Sequence, residues 1–237
     1  MNISRPRCAI VYTPATGLVR FITLPAVLIA GSWLTCAAHA GTMLQPISAT
    51  SGMGNYNAQY LPAFALDQSG LAATYTSGLT DFDTFTAATN TVSGGSSFNS
   101  WYSAQGVLTG NFDFFLGSVV TIESFALWND PQTAQQGVNS FKLWADDNAA
   151  FTSPTLLGNY NALALNSNAA NFAQVFAFAP TAASYVRMEI LSNYGSTFVT
   201  GFVEAAFEET VPTPATLALL GLGGLIGSAN RRRRHAG

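Results

Sequence analysis

The chain has 237 residues, 49% of them hydrophobic and only 9% charged, with a net charge of −3. That charge is unevenly placed: Arg5, Arg7 and Arg20 stand in the first forty residues, Arg231, Arg232, Arg233 and Arg234 near the end, and all twelve carboxylates lie between them with Lys142 and Arg187 as the only bases. A middle segment so acidic repels phosphate backbones, which argues against a nucleic-acid partner, and it can attract Ca²⁺.

From the N-terminus, Arg20 precedes FITLPAVLIAGSWLTCAAHA, an apolar run closed by small residues. A basic region, an apolar core and an Ala-x-Ala site describe a secretory signal peptide. Residues 1–40 are assigned to it, with cleavage by signal peptidase after Ala38-His39-Ala40 and an uncleaved membrane anchor as the alternative. Cys8 and Cys36 both fall inside this segment, so residues 41–210 have neither disulfides nor thiolate chemistry. Those roughly 170 residues suffice for one domain with a real core.

In this domain, helical periodicity is scarce. Short β-type runs bounded by Gly, Asn, Ser and Asp follow one another: Leu44 to Ala49, Leu61 to Leu66, GNFDFFLG, VVTIESFALWN, VNSFKLWAD, AQVFAFAP, SYVRMEIL and TGFVEAAFEE. About eight strands with such turns predict an all-β domain, an antiparallel β-sandwich.

The C-terminus, residues 211–237, reads VPTPATLALLGLGGLIGSANRRRRHAG after Thr210. Pro212 and Pro214 expose an extended segment suited to a protease. The apolar stretch from Ala215 to Ala229 would be about 22 Å long as a helix, marginal against a hydrocarbon core of about 30 Å. The four arginines orient such a transmembrane helix with its tail in the cytoplasm and the domain outward. This tail resembles the PEP-CTERM sorting signal of Gram-negative bacteria, with Pro212-Thr213-Pro214 in place of the usual Pro-Glu-Pro, then ATLALLGLGG, then Arg231 to Arg234. The resemblance implies processing by an exosortase, a transient stay in the inner membrane, and release to the cell surface or the extracellular polysaccharide matrix.

The middle domain resembles the discoidin-like (galactose-binding-like) jelly roll. AFALD (Ala63 to Asp67), Trp101-Tyr102-Ser103 before LTGNFDFFLG, IESFALWN, GVNSFKLWADDNAAF, SYVRMEILSNYG and GFVEAAFEE occur in that family's order. Between AFALD and Trp101 the chain carries an insertion, Gln68 to Asn99, containing YTSGLTDFDTF, and Gln68 stands where the family often has glycine. The resemblance implies a structural Ca²⁺ at Asp67 and Glu204. Asp81 and Asp83, a DxD in the insertion, are added as candidate ligands because Ca²⁺ takes six to eight oxygens. The plainer alternative is that Asp67 caps a turn and the DxD is a solvated loop.

Sandwich lectins stack sugars on loop aromatics and read hydroxyls with polar side chains. The candidates are Tyr75, Trp101, Tyr102 and Tyr194, with Asn129 and Asp130; core packing is the alternative for Trp101 and the expectation for Trp128 and Trp144. Arg187 matches a family arginine whose implied role is an internal salt bridge. His39 and His235 lie in the two end segments, which excludes Ser-His-Asp, Cys-His and His-metal catalysis in the domain. Asp146-Asp147 and Glu208-Glu209 are neighbours in sequence and point to opposite faces of a strand, so neither makes a glycosidase pair. The expected protein is thus an exported, non-catalytic, carbohydrate-binding module. A structural matrix protein without a specific ligand and a carbohydrate-active enzyme are the alternatives.

Overall fold

The computed structural model describes residues 41–88, 96–131, 134–165 and 172–210. The expected signal peptide with Ala38 and Ala40, and the tail with Pro212, Thr213, Pro214 and the arginines, lie outside the described residues. Within them, eight strands form an antiparallel system: β1 (Thr42–Leu44), β2 (Ser48–Ser51), β3 (Trp101–Tyr102), β4 (Gly110–Asn129), β5 (Val138–Asp146), β6 (Thr155–Asn161), β7 (Gln174–Asn193) and β8 (Gly201–Glu209). Hydrogen-bonded neighbours run β1-β8-β4-β7-β5-β6, with β2 on β4 and β3 on β8.

Several boundaries differ from the sequence expectation. GNFDFFLG and VVTIESFALWN are one strand, β4, and AQVFAFAP and SYVRMEIL are one strand, β7. Each is 20 residues long and bends where the β4–β7 register shifts, between Phe115 and Val120. Gly117 sits there with φ +94°, a left-handed conformation that glycine adopts without cost. The glycine read as a strand end is therefore a corner. Leu44 to Ala49 is two strands separated at Pro46, which cannot donate to a ladder. Leu61 to Leu66 is a 3-10 turn at Pro62–Ala65, started by Pro62 at its first turn.

The bends let β4 and β7 serve two packed layers. The first half of β4 pairs with β2 and with the second half of β7; its second half pairs with β8 and with the first half of β7. Alternation then assigns the faces. Phe112, Phe114, Val186, Met188, Phe141 and Leu143 point inward from one layer and meet Phe125, Leu127, Phe202 and Phe207 from the other. Phe125 alone lies within 6.3 Å, centroid to centroid, of Phe114, Phe141, Phe176 and Phe207.

A second, smaller core lies on the outer face of the β4–β8 layer. There Ala126, Trp128, Val203 and Ala206 are covered by Tyr75, Phe82 and Phe85. The covering residues come from the insertion, whose short helix α1 (Phe82–Ala87) is buried at Phe82, Phe85 and Thr86. Gly201 to Glu208 are consequently all buried, on both faces of β8.

Truncating Phe125, fully buried among four rings, removes the centre of the main core. Phe125→Ala is expected to cost about 3–5 kcal/mol, read as a lowered urea midpoint with an unchanged slope.

Candidate ligand-binding surface

Most of the loop residues expected to hold a sugar are interior. Trp101 is fully buried, its ring set edge-on to Phe112 at 4.8 Å and its Nε1 donating to the Gly54 carbonyl at 3.0 Å. Tyr102 is buried beside Asp130; burial and that neighbouring charge push its phenol well above the ordinary value. Asn129 and Asp130 are buried too. Asn129 Nδ2 donates to the Val138 carbonyl at 2.7 Å while its Oδ1 accepts from Val138 N at 2.8 Å, clipping the start of β5 to the end of β4. Tyr75 lies in the second core against Phe85 at 5.1 Å. These five residues offer no ring face or free edge to a glycan, because the loops they were placed in are folded down onto the sandwich. Tyr194 remains half-buried, its hydroxyl donating to the Ala162 carbonyl. Trp128 is in the second core as expected.

The four carboxylates proposed for Ca²⁺ do not converge: among the described residues no three or more His, Cys, Asp and Glu gather in metal-binding distance. Asp81 caps α1, its Oδ1 accepting from Thr84 N at 2.8 Å, so the DxD begins a helix rather than joining Asp67. Asp67 and Glu204 remain a pair. Glu204 is fully buried; its Oε2 accepts from Gln68 N at 2.9 Å, while Oε1 is buried with no hydrogen-bond partner among the described residues. Burial raises its pKa well above the carboxylate range, opposed by the Gln68 N–H and increased by the charge on Asp67. Gln68 holds this corner at φ +63°, where a side chain is uncommon. Its own side chain ties the site together: Nε2 donates to Gln45 Oε1 at 2.9 Å and Oε1 accepts from Tyr75 N at 2.8 Å.

An open concave surface lies elsewhere, on the outer face of the layer formed by β5, the second half of β7 and the first half of β4. Its side chains are the alternates of the core residues. Two cross-strand rows run over it: Asp113, Arg187 and Trp144, and Asn111, Glu189 and Lys142. Arg187 Nε and Nη2 make a two-pronged bond to Asp113 at 2.7 and 2.8 Å, the internal salt bridge that the sequence resemblance implied. The guanidinium also lies 4.0 Å over the Phe151 ring. Phe151 is put there by the β5–β6 turn, where Asp146 accepts from Asn148 N and Ser153 N at 3.0 and 3.1 Å and Phe151 takes φ +49°. Trp144 is half-exposed, not core; its Nε1 donates to Glu189 Oε2 at 3.0 Å, and Lys142 Nζ stands 3.4 Å from the same oxygen. Asn111, Trp144, Phe151, Pro154, Arg187 and Glu189 line a groove of about 260 Å³.

Sequence reasoning missed this groove because Trp144 ends a strand that reads as core. The usable signal was alternation: Trp144 shares its parity with Lys142, which must face water. A second aromatic patch escaped notice at the loop end, where exposed Tyr56 and Phe198 meet edge-on at 5.3 Å beside Tyr60.

Comparisons with known proteins agree with both parts of this architecture. Residues 210–234 match the family model of the PEP-CTERM protein-sorting motif, as the tail's three elements predicted. No curated protein matches the chain. Among solved structures, the fold is similar to the family 32 carbohydrate-binding module of NanJ from C. perfringens, determined with galactose, at 12% identity and a TM-score of 0.50, covering 71% of this chain and 99% of that one. It is also similar to the CBM32-1 and CBM32-2 domains of ZmpB from Clostridium perfringens, determined with GalNAc, at 11% identity and a TM-score of 0.50, covering 72% and 36% of the two chains. The domain is a discoidin-like β-sandwich, and a PEP-CTERM-like sorting motif follows it.

The hydrogen bonds from Thr84 hold the Asp81 carboxylate below its ordinary value of 3.8. A depressed folded pKa stabilises above the unfolded value, and the contribution is lost as pH falls through the folded one. Asp81→Asn keeps a good cap and is expected to flatten this acid limb of the melting curve while barely changing stability at pH 7.

Proposed function

We propose that the chain is an exported, exosortase-sorted surface or matrix protein of a Gram-negative bacterium whose sandwich domain binds glycan without catalysing a reaction. The observation that carries this reading is the groove of Trp144, Phe151 and Arg187. Its aromatic walls suit the apolar face of a sugar ring, while Asn111, Glu189 and the outer edge of Arg187 suit hydroxyls. Both cations of the domain are paired with carboxylates there, so the groove favours neutral sugars over acidic ones. Its volume is that of a site for a single sugar unit or a chain end. The fold likeness to carbohydrate-binding modules supports the same reading.

The engagement of the carboxylates on this face supports binding rather than catalysis. Asp146 is spent on its turn, and Glu189 is held by Lys142 and Trp144. A second reading, binding at the loop end, is favoured by one observation. Tyr56, Tyr60 and Phe198 lie near the start of β8, at the opposite end of the sandwich from Glu209, where the chain leaves toward its sorting tail. A domain attached through that tail would present this end outward.

We propose in addition that Ca²⁺ is held between Asp67 and Glu204. The buried Glu204 oxygen, without a hydrogen-bond partner among the described residues and beside a second carboxylate, fits a cation, which would relieve both the burial of charge and the repulsion. Backbone carbonyls of the neighbouring loop and water would complete its shell.

Three outcomes follow. Trp144→Ala is expected to weaken polysaccharide binding at least tenfold by calorimetry while Tyr56→Ala leaves it unchanged; the reverse pattern would move the site to the loop end, and loss in neither would remove the lectin reading. EDTA is expected to lower the melting temperature of the wild type and not of Glu204→Gln. Mass spectrometry of the secreted protein should show a C-terminus near Pro212 to Pro214; an intact arginine tail would reject exosortase processing.

A further inference from the structure

Glu208, near the end of β8, is only 2% exposed. Its side chain lies against Gly41, the residue that follows the Ala38-His39-Ala40 motif. A Cβ built on Gly41 would fall 2.2 Å from Glu208 Oε1 and 2.4 Å from its Cγ, so no residue but glycine fits here without moving the carboxylate. Nitrogen and Cβ hang from the same tetrahedral Cα about 2.5 Å apart, which places Oε1 within about 4.7 Å of the Gly41 nitrogen. The position is fixed from both sides. β1 pairs with β8 in the register Met43 to Glu208, and the Gly41 carbonyl accepts from Phe82 N of the insertion at 3.0 Å.

The charges of the domain sharpen this juxtaposition. Lys142 and Arg187 are the only basic side chains from Gly41 to Thr210, and they sit with Glu189 and Asp113 on the opposite layer. Export adds one more cation. When signal peptidase hydrolyses the Ala40–Gly41 amide, water supplies the hydroxyl that leaves Ala40 a carboxylate, and the freed Gly41 nitrogen takes up a proton as an α-ammonium.

We propose that this processed α-ammonium is received by the Glu208 carboxylate, so that removal of the signal peptide locks β1 between β8 and the insertion. The proposal rests on the export reading above and adds a structural role for the cleavage itself. In the precursor the same nitrogen is a neutral amide and cannot pair with a buried carboxylate as an ion. The pairing raises the α-ammonium pKa above its unfolded value of about 7.7–8.0. Its stabilisation is therefore complete below that value and is lost as pH rises through the folded pKa.

The test uses the exported product of the full-length gene. Its N-terminus is read by mass spectrometry, and its melting temperature is followed from pH 6 to pH 10 for the wild type, for Glu208→Gln, for a variant with one serine inserted between Ala40 and Gly41, and for the two changes combined. The insertion keeps the cleavage motif and every native side chain but moves the ammonium one residue away, so it remains informative if Glu208→Gln fails to fold. The expected result is an N-terminus at Gly41, a loss of several degrees in each single variant at pH 6, no further loss in the double variant, and a wild-type advantage that fades above pH 8. An N-terminus elsewhere would overturn the proposal by removing its cleavage premise. An N-terminus at Gly41 with additive losses, or with a pH profile unchanged by the insertion, would overturn the pairing and leave the export reading intact.

Discussion

The burial of β8 on both faces governs the rest of the molecule. One face closes the aromatic core between the layers. The other would be an open apolar strip of Trp128, Val203 and Ala206 if the insertion did not lie across it with Tyr75, Phe82 and Phe85. Covering that strip has two consequences. It seals Glu204 and Glu208 away from water, where carboxylates need strong partners. It also leaves the opposite layer to face solvent, and that layer carries the groove.

The two layers therefore divide the work. The β4–β8 layer holds the structural charges: Glu204 with the Gln45–Gln68 corner and Asp67, Glu208 with the start of β1. The β4–β7–β5 layer holds the exposed charge pairs, interleaved with Trp144 and Phe151 and set in rows by strand register. Those pairs are half-exposed and so contribute little to stability individually. Their effect is positional, since the fork between Arg187 and Asp113 keeps the guanidinium flat on Phe151 and holds one wall of the groove.

Much of the fold was legible in the sequence because it depends on local signals. Alternation marked the strands, and the order of weak motifs marked the discoidin-like arrangement. The tail was legible from three adjacent elements that need no tertiary context. What was not legible depended on how loops fold back. A loop tyrosine or tryptophan has the same sequence signature whether it stacks on a sugar or closes the end of a sandwich, and Trp101, Tyr102 and Tyr75 do the latter. The joining of paired runs into β4 and β7 was hidden because a glycine at a bend reads as a strand end. Asp81 read as a ligand because its capping partner, Thr84, becomes visible only once α1 is known. Arg187 was placed correctly, since a lone arginine in so acidic a domain has carboxylates to choose from.

The proposed meeting place of glycan and this domain is the Trp144 groove. The most direct measurement is a titration of the ¹⁵N-labelled domain with extracellular polysaccharide, following the indole N–H signals. Trp101, Trp128 and Trp144 each contribute one. Binding in the groove predicts a saturable shift of the Trp144 signal with those of buried Trp101 and Trp128 nearly unmoved. A saturable titration that shifts backbone signals around Tyr56 and Phe198 while leaving Trp144 in place would contradict it.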